Sequence, residues 1–158
     1  MQNDAKPVVT VARMEDLHGY FIEELATGMT DVCVRTITET DIIQYSQVSG
    51  DNNPLHMNEQ FAKKTIFKGC IAHGMLACGY ISSVFGTKLP GPGCAFINQN
   101  LNFRSPVRVG DTVQTRVTIK EILKDSNQVY CEIVCSVEKK IVIDGTALLW
   151  VPNRGREN

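Results

Sequence analysis

Two residues that can move protons, Asp51 and His56, lie in a segment too rich in Gly, Asn and Pro to be a regular helix or strand. Pro54 stiffens the connection between them, because proline fixes its own φ and pushes Asn53 toward extended geometry. A carboxylate and an imidazole held at a set separation can bind a water and transfer protons in both directions. The same residues also suit a plain turn or helix cap, which such segments form more often than a catalytic pair.

A second polar segment, Ala72-His73-Gly74-Met75, opens an apolar stretch that predicts a helix over residues 71–86, buried on every side. Helix N-termini carry unpaired N–H groups and partial positive charge. The N–H of Gly74 would therefore stabilise negative charge on a carbonyl oxygen, and the missing side chain would let that oxygen approach. His73 could instead cap or brace the helix start, and Ser82 by itself is typical of a small packing residue.

The first part of the chain predicts one strand and two helices that position the Asp51 segment. Residues 30–36 are short and β-branched, as expected for a strand. Thr38 and Asp41 form a capping signal that opens a helix, and Gly50 ends it. Residues 57–64 predict a further short helix.

After the turn at residues 90–93, apolar and polar residues alternate with the period of two that is typical of antiparallel strands with one buried face. The inward positions are predicted to be Ala95, Ile97, Leu101 and Phe103, then Val113, Thr115, Val117 and Ile119, then Val129, Cys131, Ile133, Cys135 and Val137. Residues 140–151 are more continuously apolar. The fold class predicted is α+β, a curved antiparallel sheet around one buried helix.

The composition of the chain argues against several classes of protein. A chain of 158 residues with a net charge of −1 has no excess of basic residues for binding nucleic acid or a membrane surface. It has no run of 18 apolar residues, and its N-terminus lacks the apolar core of a signal peptide. The six cysteines form no C-x-x-C pair, so we expect no metal site and six reduced thiols in a cytoplasmic protein.

The two motifs together, Ser-Gly-Asp-Asn-Asn-Pro-Leu-His over residues 49–56 and Ile-Ala-His-Gly-Met over residues 71–75, resemble the hydratase branch of the MaoC-like hot-dog family. The similarity extends from about Phe21 to Pro152. The resemblance implies (R)-specific hydration of trans-2-enoyl-CoA to (R)-3-hydroxyacyl-CoA, or the reverse dehydration. It implies no cofactor, with coenzyme A or acyl carrier protein as the substrate carrier, and a homodimer.

The resemblance also implies a role for each site residue. Asp51 and His56 would be the catalytic dyad, and Gly74 would be the oxyanion hole. Ser82 would support the dyad by hydrogen bonding, and Asn53 would shape the loop. Apart from the roles that the resemblance assigns, we predict His73 as a further supporting residue. These residues fall in a predicted domain over residues 19–152, with an N-terminal extension over residues 1–18 and a disordered tail over residues 153–158.

Two other functions remain open from the sequence. A hot-dog thioesterase usually places an acid on the central helix, but residues 71–86 contain no Asp or Glu. The same absence disfavours the histidine-plus-helix-glutamate layout of dehydratases of fatty-acid synthesis. A non-catalytic protein that binds or senses acyl thioesters would be compatible with the Asp51–His56 pair.

Overall fold

The computed structural model describes residues 17–155. A five-stranded sheet covers the helix that was predicted to be central, and three shorter helices stand between β1 and that helix. In chain order the elements are β1 (Thr30–Thr36), α1 (Glu39–Ser49), α2 (Pro54–Met57), α3 (Glu59–Ala62), α4 (Gly74–Thr87), β2 (Ala95–Phe103), β3 (Thr112–Leu123), β4 (Gln128–Val137) and β5 (Lys140–Trp150), with short 3-10 helices at Ile22–Glu24 and Lys124–Ser126.

The sheet has the strand order β1-β3-β4-β5-β2, and every pairing is antiparallel. Two of its three inner strands, β3 and β4, confirm the predicted alternation, because one set of side chains in each strand is buried and the other set is not. The buried set is Val113, Thr115, Val117 and Ile119 in β3, and Val129, Cys131, Ile133 and Cys135 in β4. This inner face packs against α4 in one hydrophobic core.

The prediction of a buried face for β2 is wrong. Ala95, Ile97 and Phe103 are exposed, and Leu101 is only partly buried. β2 is an edge strand that pairs only with β5, and a register shift between Phe96 and Asn98 breaks the alternation around Ile97. At the edge of a sheet, alternation in sequence does not by itself produce a buried face within one chain, because an edge strand has a neighbour on one side only.

The helix that leads to the Asp51 segment begins and ends as predicted. The Thr38 side chain accepts a hydrogen bond from the Asp41 N–H, and the Asp41 carboxylate accepts one from the Thr38 N–H, which is a complete capping box. Gly50 ends α1 with φ of 76°, the left-handed conformation that glycine adopts without a steric penalty. The chain therefore leaves α1 in a fixed direction immediately before Asp51.

The single helix predicted over residues 57–64 is instead two short ones, α2 and α3. Asn58 separates them, and its side-chain oxygen accepts a hydrogen bond from the Phe61 N–H at 3.0 Å, which caps α3. A capping side chain competes with the helical backbone for the same donors, so asparagine favours a new start over continuation.

Two features of α4 differ from the prediction. It begins at Gly74 rather than Ile71, because the Ala72 N–H donates to the Val107 carbonyl at 2.7 Å and holds residues 71–73 outside the helix. It is also buried on one side only: Ala77, Cys78, Ile81, Val84 and Phe85 face the core, whereas Gly74, Met75, Gly79, Ser82, Ser83 and Gly86 are exposed. Among the helices that the structure describes, none is long and apolar enough to cross a membrane.

All six cysteines are free thiols. Three of them, Cys78, Cys131 and Cys135, are buried in the core. Burial disfavours the thiolate, so it raises the pKa of Cys78 to about 11 and that of Cys131 to about 12. At neutral pH these side chains therefore behave as small apolar residues.

The predicted domain boundaries fall near the limits of the described chain. Most of the predicted N-terminal extension lies outside the described residues, although His18 stacks on Phe21 with ring centroids 4.1 Å apart. Of the predicted tail, the structure describes residues 153–155. There the Asn153 side chain donates to Asn127, and Arg154 pairs with Glu24.

Candidate active site

The loop between α1 and α2 is held by its own side chains. The Asp51 N–H donates to the Ser49 hydroxyl at 3.2 Å, and the Asp51 carboxylate accepts from the Asn53 N–H at 3.2 Å. The Asn53 side chain in turn accepts from the Leu55 N–H at 3.0 Å and caps α2, whose first residue is Pro54. These local turns fix the direction of the Asp51 side chain, as expected where Asx residues bond to the backbone two positions on.

His56 lies on α2, is half-buried, and is oriented by one main-chain group. Its Nδ1 lies 2.8 Å from the carbonyl oxygen of Ile71. A carbonyl can only accept, so Nδ1 carries the proton in this bond. Nε2 is therefore left free to accept a proton from a substrate or a water when the ring is neutral.

His73 is almost fully buried, at 2% exposure, and contacts both Asp51 and His56. Its Nε2 donates to the main-chain carbonyl of Asp51 at 3.0 Å, and its ring lies 3.9 Å from that of His56, centroid to centroid. The ring of Tyr45 covers another side at 4.9 Å. Although His73 is the N-cap residue of α4, its side chain makes no capping bond to that helix. It braces the Asp51 loop instead.

The three polar side chains form one cluster. One carboxylate oxygen of Asp51 and one ring nitrogen each of His56 and His73 all lie within 4.8 Å of one another. Two hydrogen bonds of about 2.8 Å can span up to about 5.6 Å, so a single water can bridge the Asp51 carboxylate and an imidazole. The predicted proximity of Asp51 and His56 is thus present, and the space between the side chains suits a water.

In the part of the chain that the structure describes, this cluster is the one group of three such side chains that could hold a metal ion. Two histidine ligands at about 2.1 Å from a tetrahedral zinc lie about 3.4 Å apart. Here the ring centroids of His56 and His73 lie 3.9 Å apart with a tilt of 33° between the planes, and one nitrogen of each ring already donates to a main-chain carbonyl. The absence of a metal stays a prediction.

Gly74, the first residue of α4, follows His73 directly, so its N–H has no acceptor within the helix. A Cβ built on Gly74 would lie 2.7 Å from Cε1 of Phe103 and 3.1 Å from its Cδ1. The absent side chain is therefore required for the Phe103 ring to lie where it does. The N-terminus of α4 and the Phe103 ring therefore both border the two histidines, His56 and His73.

A pocket of about 330 Å³ opens beside this helix start. His56, His73 and Gly74 share its wall, so three of the sequence-predicted residues are brought together there. The rest of the lining is mainly apolar and includes Phe67, Ile71, Ala72, Ala77, Phe103 and Val107. Asp51 reaches this site through its contacts with the histidines and is itself exposed.

A second, larger cavity of about 630 Å³ is also lined by His56. Its lining is more polar and includes Glu39, Glu59, Lys68 and Arg108. The Arg108 guanidinium donates to the carbonyls of Phe67 and Cys70, and so holds the segment that carries Lys68. His56 is the residue common to both cavities.

Ser82 is not brought to the cluster within one chain. It is exposed on α4, about 12 Å along the helix axis from Gly74, and its side chain makes no hydrogen bond to any residue in the described range. Its supporting role stays a prediction. Sequence reasoning missed Ile71, Arg108 and Phe103. Ile71 acts through its main-chain carbonyl, which carries no signal in the residue type, and Arg108 donates to main-chain carbonyls whose positions the sequence does not give.

Comparison with known proteins shows the family to which this chain belongs. The sequence pattern of the MaoC like domain matches residues 25–144, about three quarters of the chain. The chain belongs to this family. It is 44% identical over 141 residues to an (R)-specific enoyl-CoA hydratase of Rhodospirillum rubrum, covering 89% of this chain and 98% of that protein.

Two further relatives support the membership of this chain in the MaoC-like family. A 3-hydroxybutyryl-CoA dehydratase of Methylorubrum extorquens is 40% identical, covering 89% of this chain and 90% of that protein. The unliganded R-hydratase PhaJ1 of Pseudomonas aeruginosa superposes with a TM-score of 0.80 at 35% identity, covering 86% of this chain and 88% of that one. The predicted α+β hot-dog fold and the predicted family are confirmed.

Proposed function

We propose that this MaoC-like protein is a hydro-lyase that adds water to trans-2-enoyl-CoA to give (R)-3-hydroxyacyl-CoA, and catalyses the reverse dehydration. The observation that carries the proposal is the cluster of Asp51, His56 and His73 beside the N-terminus of α4, at the wall of an apolar pocket. The names of the two similar enzymes, a hydratase and a dehydratase, describe opposite directions of one reaction.

The reaction requires the oxygen of water at the β-carbon and one proton at the α-carbon. Asp51 and His56 can hold the water between them, and the dyad both accepts the proton that the water loses and supplies the proton that the α-carbon gains. Charge that develops on the thioester oxygen would be stabilised by the Gly74 N–H at the positive end of α4. The apolar pocket would hold the acyl chain.

No cofactor is needed for this chemistry, because a carboxylate, an imidazole and an N–H donor supply every proton transfer and charge contact. We propose that the acyl group arrives on coenzyme A or on acyl carrier protein. The larger cavity, which shares His56 with the acyl pocket, has a volume that leaves room for a carrier arm. Lys68 at its lining is positively charged, as suits a phosphate-bearing carrier.

We further propose a homodimer that works in the cytoplasm and binds neither nucleic acid nor membranes. The edge strand β2 leaves Phe96 and Ile97 exposed at 44% and 47%, and the exposed side of α4 is made of small residues. An uncovered sheet edge with apolar side chains is commonly covered by a second subunit. In a dimer, Ser82 could also lie close to a dyad of Asp51 and His56.

The test is to mix the protein with crotonyl-CoA and follow the enoyl absorbance and the free thiol in parallel. Loss of enoyl absorbance without release of thiol supports hydration. Release of thiol would identify a thioesterase. No turnover of crotonyl, octenoyl or acyl-carrier-protein substrates, together with tight binding of acyl-CoA, would identify a binding protein and exclude the proposed reaction.

A further inference from the structure

The imidazole of His73 connects the two members of the dyad to the oxyanion-hole residue. Its Nε2–H holds the Asp51 carbonyl at 3.0 Å, and its face lies against His56 at 3.9 Å. Along the chain it is the residue immediately before Gly74. The three catalytic groups come from three separate elements, and His73 contacts or adjoins each of them.

The other nitrogen of this ring is also informative. Because Nε2 donates to a carbonyl, the neutral ring carries its lone pair on Nδ1, and that atom is buried with no hydrogen-bond partner among the described residues. A buried acceptor without a partner destabilises the folded state, and most buried polar atoms do have one. An aromatic hydrocarbon ring would fill the same space without this unpaired atom, so what the imidazole adds at this position is its Nε2–H bond to the Asp51 carbonyl.

We propose that His73 is a positioning residue for the reaction: its Nε2–H fixes the main chain of Asp51, and its ring fixes the face of His56. This inference rests on the proposed function. Its physical basis is that catalytic groups must be held to within a fraction of an ångström, and a misplacement of about 1 Å can lower the rate about 10²-fold. Asp51 is exposed and its loop is otherwise held only by local turns, so the partly buried bond from His73 is its one anchor to the core among the described contacts.

Two substitutions separate positioning from packing. His73→Phe keeps a ring against His56 but removes both the donor and the unpaired acceptor. We expect kcat to fall about 10²-fold, with KM little changed and a Tm within a few degrees of wild type, because the exposed Asp51 carbonyl can bond to water instead. His73→Gln places an amide donor near the Nε2 position, and we expect it to recover most of the lost kcat.

His18→Gln is the matched control, because it removes an imidazole that stacks on Phe21 at the other side of the fold. It should leave kcat unchanged. A His73→Phe protein that folds and keeps kcat within about twofold of wild type would overturn the proposal. So would a His73→Gln protein that is folded and no more active than His73→Phe.

A measurement that does not use activity separates this inference from the proposed function. In two-bond ¹H–¹⁵N spectra of the wild-type protein, His73 should be the Nε2–H tautomer with a slowly exchanging ring proton. The opposite tautomer would overturn the inference even if the enzyme hydrates crotonyl-CoA. An inactive wild-type protein with the expected tautomer would refute the proposed reaction while leaving the His73–Asp51 bond established.

Discussion

Gly74→Ala tests the geometry at the start of α4. The added methyl carbon would lie 2.7 Å from Cε1 of Phe103, whereas carbon atoms in contact are best separated by about 3.5–4.0 Å, so the ring must retreat by about 1 Å. Phe103 is 55% exposed and can move into solvent. We therefore expect the free energy of unfolding to change by less than about 1 kcal/mol, since alanine also has the higher helix propensity.

Activity should respond far more strongly than stability. The methyl group would push the Phe103 ring across the pocket that it shares with Gly74, and so obstruct the approach of a carbonyl oxygen to the Gly74 N–H. Losing one oxyanion-hole donor typically lowers kcat by about 10²–10³-fold. The assay is the loss of enoyl absorbance with crotonyl-CoA, alongside urea unfolding. Gly86→Ala in the same helix is the control, because open space surrounds its Cβ position. A folded Gly74→Ala protein with kcat/KM within about twofold of wild type would refute the oxyanion-hole assignment.

The remaining predictions concern the dyad, its supporting serine and one helix cap. Asp51→Asn and His56→Ala should each lower kcat by roughly 10²-fold or more, and the double variant should lose far less than the product; independent losses would mean that the two do not act as a pair. Ser82→Ala should lower kcat/KM by less than Asp51→Asn, since Ser82 is exposed on α4; an equal loss would show that a second chain brings it into the site. Hydrogen bonds from the Thr38 hydroxyl and N–H hold the pKa of the Asp41 carboxyl below its ordinary 3.8. The ionised carboxylate therefore stabilises the folded state above about pH 4, and this stabilisation is lost as the pH falls through the folded-state pKa. Asp41→Asn should accordingly destabilise more at pH 7 than at pH 3 in urea unfolding, and an equal effect at both would contradict the cause given.

The parts of the fold that the sequence predicted well depend on local signals. The capping box of Thr38 and Asp41 satisfies donors within three residues, and the alternation in β3 and β4 follows from one buried sheet face. The exposed face of β2 could not be predicted in this way, because an edge strand has the same alternation as a central one. Nor could the break at Asn58, where capping and helix continuation compete for the same N–H groups.

The sequence predicted which residues form the candidate site, but not the hydrogen bonds that hold them in place. Asp51 and His56 are close in sequence and carry a recognisable spacing, and the structure places them in one cluster. The Asp51 loop is held by a hydrogen bond from His73, which lies 22 positions later in the chain. The acceptor is the main-chain carbonyl of Asp51, a group that every residue type possesses. Likewise, the carbonyl of Ile71 orients His56 regardless of the Ile71 side chain. Such contacts follow from the packing of α4 against the loop and have no signature in the sequence.

We propose that Asp51, His56 and Gly74 together hydrate an enoyl thioester on one face. The most direct measurement is chiral analysis of the product that the wild-type protein forms from crotonyl-CoA. We predict (R)-3-hydroxybutyryl-CoA as the single enantiomer, and none of it with Asp51→Asn on the same time scale. Formation of the (S) enantiomer, a racemic product, or an equal yield from Asp51→Asn would contradict the account.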